Sequence, residues 1–280
     1  MSAACVGTGM SRQNYYRQRR RRQREAIDEE LVLELVRRER ARQPCLGGRK
    51  LLQLLRAELR AAGVSLGRDR FFALLRGHGL LLPRRRRSAR TTNSRHGLRV
   101  YPNLAKELTL DRPHQLLVAD ITYLRTAVGF VYLALVMDAF SRAIVGYDCS
   151  DRLEMEGALR ALEMALSQRP AGVATMHHSD RGCQYCCAAY VNRACLAGVT
   201  MSMTEENHCY ENSQAERLNG TLKREYGLDE TFETKAAAYA AVREAMPLYN
   251  YHRPHQALGY LVPMAVHAAV SGSPDPSAAA

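Results

Sequence analysis

A chain of 280 residues, 46% apolar and 24% charged, is long enough for one or two globular domains with a real core and too apolar for a disordered one. Its longest unbroken apolar run, Phe130 to Met137, is 8 residues, far below the roughly 20 that a membrane span needs, and the N-terminus lacks the cationic start and apolar stretch of a secretory signal. Net charge is +12, but residues 1–100 carry 25 Lys/Arg against 8 Asp/Glu and residues 101–280 carry 15 against 20, so a +17 half, nearly all Arg, precedes a −5 half, as in a polyanion-binding module joined to something else.

In chain order, residues 1–25 hold the run RQRRRRQR (Arg17 to Arg24) and little apolar content, which reads as an exposed basic arm. A helical period then places Leu31, Leu35 and Val36 on one face, with Asp28, Glu29 and Glu30 near the favoured N-terminal end. Pro44 and Gly47-Gly48 break it. A second helix has Leu51, Leu54, Leu55 and Leu59 on one face and Gly63 as its stop, and a third runs from about Gly67 to Arg76. Three short helices with tight glycine turns over 26–82 predict a small all-α helix-turn-helix domain. Arg68, Arg70 and Arg76 then lie on the helix that would need donors for nucleic acid. Residues 83–112, with Arg84, Arg85, Arg86 and Arg87, read as a basic linker that would track a phosphate backbone.

From residue 113 the pattern changes. LLVADITYL (116–124), GFVYLALVMDAF (129–140) and AIVGYD (143–148) predict three strands in an antiparallel meander. A helix (154–166), a strand (173–178), a helix (183–198) and a short strand (199–203) follow, which describes an α/β fold with a mixed five-stranded sheet flanked by helices. A polar loop leads into a helix from about Asn212 to Tyr226, and another covers roughly Lys235 to Tyr249. Residues 267–280 read as a disordered tail.

Three acids stand out by placement: Asp120 in the first strand, Asp180 just past the fourth, and Glu216 one turn into the helix after the loop. Strand ends are where ligands collect in such sheets, and carboxylates suit hard divalent cations. Spacing alone selects them weakly, because 28 acids offer many triples.

Their contexts are more specific. VADITY around Asp120, MDAFSRAIVG after the second strand, HHSDRGCQY around Asp180, ENSQAERLNGTLKREY around Glu216 and the C-terminal YNYHRPHQALGYLVP together resemble the transposases of the insertion-sequence-three family. There are 59 residues between Asp120 and Asp180 and 35 between Asp180 and Glu216, and the second gap is that of the family's Asp-Asp-Glu triad. The resemblance covers about residues 10–265. It implies a ribonuclease-H-like catalytic core over 113–266, Asp120, Asp180 and Glu216 as catalytic and metal-binding acids, and Mg²⁺ or Mn²⁺, two ions, as cofactor. It implies DNA as substrate, both element terminal repeats and target, with hydrolysis freeing a 3′-OH that then attacks another phosphate. It also implies a homo-oligomer on DNA, a bacterial, nucleoid-associated cytoplasmic location, and an upstream-frame protein as partner or fusion. The alternative is a catalytically inactive DNA-binding regulator, or a partial transposase subunit that requires the upstream-frame partner.

Asn219 and Lys223 follow Glu216 by three and seven positions and share its helix face, so both are expected to meet DNA near the metals. Asn212 and Ser213 are expected to cap that helix. Asp138 reads as structural, and His178 as either a support to the site or an ordinary strand-end histidine. Arg253, Pro254 and His255 match the family signature without revealing their chemistry. Three departures from the family pattern are Leu117, Cys183 and Glu211, none of them a proposed ligand. Cys183-Gln-Tyr-Cys186 has zinc-knuckle spacing, but no second pair closes a site, so the 8 cysteines are expected to be free thiols.

Overall fold

The computed structural model describes residues 11–83, 97–205 and 209–271. The predicted Arg84–Arg87 run and the end of the predicted tail lie outside them. Two compact units divide at Pro83.

Among the described residues the first unit has three helices: α1 (Arg12–Arg42), α2 (Gly48–Ala61) and α3 (Arg68–Gly77). The expected basic arm is helical from Arg12, because Arg and Gln are strong helix formers and the Ser11 hydroxyl caps the first turn by accepting from the Asn14 amide at 3.3 Å. Val36, Leu46, Leu51, Leu55, Phe71 and Leu75 are fully buried and make a closed apolar centre. Gly63 ends α2 with φ +75, the left-handed conformation that L side chains resist. Its neighbour Val64 donates back to the Leu59 carbonyl at 2.8 Å.

The second unit is built on a six-stranded sheet. Strands β1 (Leu116–Thr126), β2 (Gly129–Asp138) and β3 (Ile144–Ser150) form the antiparallel meander. Strand β4 (Thr175–Ser179) then pairs parallel to β1, and β5 (Val199–Met203) parallel to β4, giving the order β3-β2-β1-β4-β5. A sixth strand absent from the expectation, β6 (Thr231–Phe232), pairs with the far end of β1 at Arg125 and Thr126. Its two residues are too few to leave a period in sequence. The order and the change from antiparallel to parallel are those of the ribonuclease-H-like architecture.

Alternation along β1 separates two cores. Leu117 and Ala119 face a layer with α4 (Met155–Ser167), α5 (Cys183–Cys186) and α6 (Ala188–Leu196). Leu116, Val118 and Leu124 face α7 (Ser213–Glu225) and α8 (Lys235–Pro247). The single helix expected over 183–198 is broken at Cys187, whose backbone is extended (φ −68, ψ 145). A five-residue π turn, Leu248–His252, follows α8. Helix α9 (Pro263–Ser271) occupies the start of the predicted tail, and His267 within it is buried. Its anchor is a buried network: Asp138 accepts from the His114 amide (2.6 Å), the Ser141 amide (2.7 Å) and the Ser141 hydroxyl (2.7 Å), and that hydroxyl meets His267 Nδ1 at 3.0 Å. These bonds and the nearby His267 outweigh burial and hold Asp138 below the usual carboxylate range. Among the described residues no helix is long and apolar enough to cross a membrane.

Strand β3 and helix α4 approach so closely at Gly146 that a Cβ there would lie 2.0 Å from the Ala161 carbonyl oxygen. Gly146→Ala is therefore expected to cost upward of about 3 kcal/mol and lower the melting midpoint by roughly 6–12 °C. Gly97→Ala, with open space around it, is expected to leave the midpoint unchanged; differential scanning calorimetry of both variants checks this.

Candidate active site

The register of β1 against β4 builds the centre of the site. Leu116, Leu117 and Val118 pair with Met176, His177 and His178, a constant offset. Pairing stops there, and the same offset carried two residues on sets Asp120 level with Asp180. This is the place where the sheet changes from antiparallel to parallel, the crevice where α/β sheets collect ligands.

Both acids are half-buried and held by hydrogen bonds. Asp120 Oδ1 accepts from the Ile121 amide at 2.9 Å, and Oδ2 from Asn219 Nδ2 at 2.7 Å. Asp180 Oδ1 accepts from the Gly182 amide at 3.0 Å. Glu216 lies exposed in the first turn of α7. Burial first, then the charge of Asp180 and to a lesser degree Glu216, pushes the Asp120 carboxyl up to about 7. The Ile121 and Asn219 bonds oppose this without cancelling it.

Past Val118 the edge of β1 has no β4 partner, and α7 lies along it. Asn212 was expected to cap α7, but its side chain makes no cap bond. It reaches the open edge instead and donates to the Ala119 carbonyl at 3.0 Å. Asn219, expected at DNA, is buried and gives its amide to Asp120. Lys223 places its Nζ 4.5 Å from the centre of the Tyr123 ring, a cation–π contact. Burial draws its amino group below the usual lysine range; Arg125 adds repulsion, while Asp120 and Asp229 oppose it.

The remaining sequence candidates separate clearly. Arg68, Arg70 and Arg76 are exposed on α3; Arg68 pairs with Asp69 at 2.8 Å and Arg70 with Glu29 at 4.0 Å. His178 is buried against the Ser202 hydroxyl at 2.9 Å, on the β5 side of β4. Cys186 turns inward, its Sγ 3.6 Å from Met203 Sδ, and Cys183 is exposed. Glu211 joins the loop before α7 to an upstream segment: it accepts from the Glu205 amide at 2.7 Å and from Asn103 Nδ2 at 2.7 Å, and pairs with Lys106 at 3.4 Å.

The C-terminal signature gains a mechanical meaning that sequence spacing did not carry. Arg253 is 4% exposed and forks onto Glu225 at the end of α7, with Nε–Oε2 2.8 Å and Nη2–Oε1 3.1 Å. Its guanidinium stands 5.5 Å from the Tyr249 ring centre. Asn250 bridges the edge of the sheet, its Oδ1 accepting from the Ile144 amide at 2.9 Å and its Nδ2 donating to the Ile144 carbonyl at 2.8 Å. The helix that carries Glu216 is thus tied at one end to β1 and at the other to the segment after α8.

Carboxylate oxygens from three elements, two of them half-buried and mutually repelling, suit a hard divalent cation. The charge that pushes up Asp120 is the charge such an ion would neutralise. Among the described residues no three acidic, histidine or cysteine side chains are drawn in to ion-holding distance of one point. A site of this composition serves displacement at a phosphoryl centre.

The chain resembles known proteins along nearly its whole length. Two models of the integrase core domain match it, over residues 111–209 and 197–263. The insertion element IS600 uncharacterized 31 kDa protein of Shigella sonnei is 37% identical over 267 residues, covering 93% of this chain and 96% of that protein. Transposase InsF for insertion sequence IS3A of Escherichia coli (strain K12) is 36% identical over 208 residues, covering 74% of this chain and 72% of that protein. The catalytic core domain of HTLV-2 integrase, solved with magnesium, is 16% identical with a TM-score of 0.45, covering 56% of this chain and 97% of that one. The chain belongs to the insertion-sequence-three family of DNA transposases and carries that family's integrase core.

Proposed function

We propose that Asp120, Asp180 and Glu216 are the catalytic acids of this transposase, and that they hold two Mg²⁺ or Mn²⁺ ions during phosphodiester hydrolysis and strand transfer at the element ends. The observation that carries the reading is the β1–β4 register: it brings Asp180 level with Asp120, and the charge of Glu216 bears on the same carboxyl. Bound divalent ions would polarise the phosphoryl oxygens and lower the pKa of an attacking water or 3′-OH.

The chain's own residues then have distinct tasks. Asn219 fixes the rotamer of Asp120 and leaves lone pairs on Oδ2 for a ligand. The Gly182 amide does the same for Asp180. Glu216 closes the set from the exposed side. Lys223, held over Tyr123, faces the incoming backbone as a phosphate contact. Arg68, Arg70 and Arg76 on α3, with Arg84–Arg87 beyond it, form the sequence-reading and backbone-gripping part, the three-helix unit acting as a helix-turn-helix domain. The active form is a homo-oligomer pairing two ends, with an upstream-frame product as partner or fusion.

On labelled element-end DNA with Mg²⁺ or Mn²⁺, Asp120→Asn, Asp180→Asn and Glu216→Gln are each expected to lower cleavage and strand transfer by at least about 10³-fold, in line with loss of a group acting in the transition state, while gel-shift affinity changes only a few-fold. Retained cleavage in any one of them would remove that acid from the set. Replacing Arg68, Arg70 and Arg76 together by Gln is expected to flatten the slope of log affinity against log salt by about 2–3; an unchanged slope would place the DNA contacts elsewhere.

Asp120 also predicts a pH dependence. Its ordinary value is near 4 and its folded value about 7. Between these the folded protein retains a proton that the unfolded chain has released, so metal-free stability falls as pH rises through this window. Asp120→Asn lacks this titration. Its metal-free melting midpoint is expected to match the wild type near pH 4 and to exceed it by a few degrees at pH 7.5. A constant difference across that range would contradict the assignment.

A further inference from the structure

Tyr185, five residues after Asp180 on α5, turns inward and is 3% exposed. Its ring stands edge-on to Tyr190, with centroids 5.4 Å apart, and tilted against His177 at 5.8 Å. The two phenols in this nest differ in one respect. Tyr190 Oη meets His177 Nε2 at 2.8 Å, whereas the Tyr185 hydroxyl is buried and has no hydrogen-bond partner among the described residues. A buried donor without an acceptor carries its full desolvation penalty, and an aromatic position needing only bulk is served by Phe at no such penalty.

Asp180 lies close to this ring. Gly182 stands between the two: a Cβ there would be 3.0 Å from Asp180 Oδ1 and 3.7 Å from Tyr185 Cδ2. Burial, then Tyr190 and the charges of Asp120 and Asp180, hold the phenol well above its ordinary range. It therefore remains a neutral O–H donor on which the charges of both acids bear.

We propose that Tyr185 is a positioning residue of the metal site, its hydroxyl donating to the Asp120–Asp180 carboxylate pair once a divalent cation has drawn that pair into its loaded arrangement. The inference rests on the reading of these acids as metal ligands. The hydroxyl orients ligand oxygens that hydrogen bonds from Ile121, Asn219 and Gly182 fix on their other sides. Outer partners of this kind are known to tune metal affinity.

The test is a calorimetric Mn²⁺ titration of the full chain without DNA, with melting midpoints taken with and without Mn²⁺, for wild type, Tyr185→Phe and Asp120→Asn. Tyr185→Phe keeps the ring and its packing. The expected result is an unchanged or higher metal-free midpoint, a Mn²⁺ affinity reduced about five- to tenfold, and a smaller Mn²⁺-induced rise in midpoint. Wild-type Mn²⁺ affinity in Tyr185→Phe, with binding lost in Asp120→Asn, overturns the role of Tyr185 alone. A metal-free midpoint several degrees below wild type overturns it too, because the hydroxyl would then already have a partner in the fold. Equal Mn²⁺ binding by wild type and Asp120→Asn overturns the metal-site reading and the proposal with it.

Discussion

Two carboxylates set side by side in a half-buried crevice repel each other, and much of the second unit exists to hold them there. The parallel pairing of β1 with β4 is the source of this tension. It ends two residues short of each acid, so the register aligns them while their side chains stay clear of the ladder. Burial and mutual charge then oppose ionisation of Asp120. The fold answers with directed donors, the Ile121 amide, Asn219 and the Gly182 amide, each on a rigid element. Even with these bonds the Asp120 carboxyl stays well above the usual carboxylate range.

The third acid comes from a different kind of construction. Glu216 is carried on a helix laid along the exposed edge of β1, where no strand pairs from Ala119 until β6. That helix needs tethers. Asn212 supplies one to β1, and the buried Arg253–Glu225 fork supplies the other. A fork of this geometry fixes both position and direction. Glu216 lies in the exposed first turn between the two tethers.

How much of this was legible in the sequence depends on the range of the interaction. The strands of the meander and the succession of elements along the chain followed from alternation and turn residues, because those signals are local; the order of strands in the sheet did not. Asp180 stood out because strand ends are legible, and Asp120, inside β1, because of the motif around it. The tasks of Asn212 and Asn219 were not, since a polar residue beside a helix start reads as a cap or a solvated contact until the strand edge it meets is known. Helix α9 was hidden for a similar reason: its anchor, His267, meets Ser141 and Asp138, more than a hundred residues earlier. The RPH signature marked Arg253 without its partner, because Glu225 is one of many glutamates until two segments are brought together. An orphaned hydroxyl such as that of Tyr185 leaves no trace in sequence at all; it is visible only as a missing neighbour.

The Asn250 bridge has a consequence beyond holding the C-terminal segment. Strand β3 is the outermost strand on its side of the sheet, and an outermost strand presents backbone groups that another chain can pair with. Asn250 meets the amide and the carbonyl of Ile144 as a further strand would, and Gln168 takes the neighbouring Val145 carbonyl at 2.6 Å. The first residues of the edge are thereby occupied by side chains. Masking this edge guards against strand-to-strand pairing with another chain.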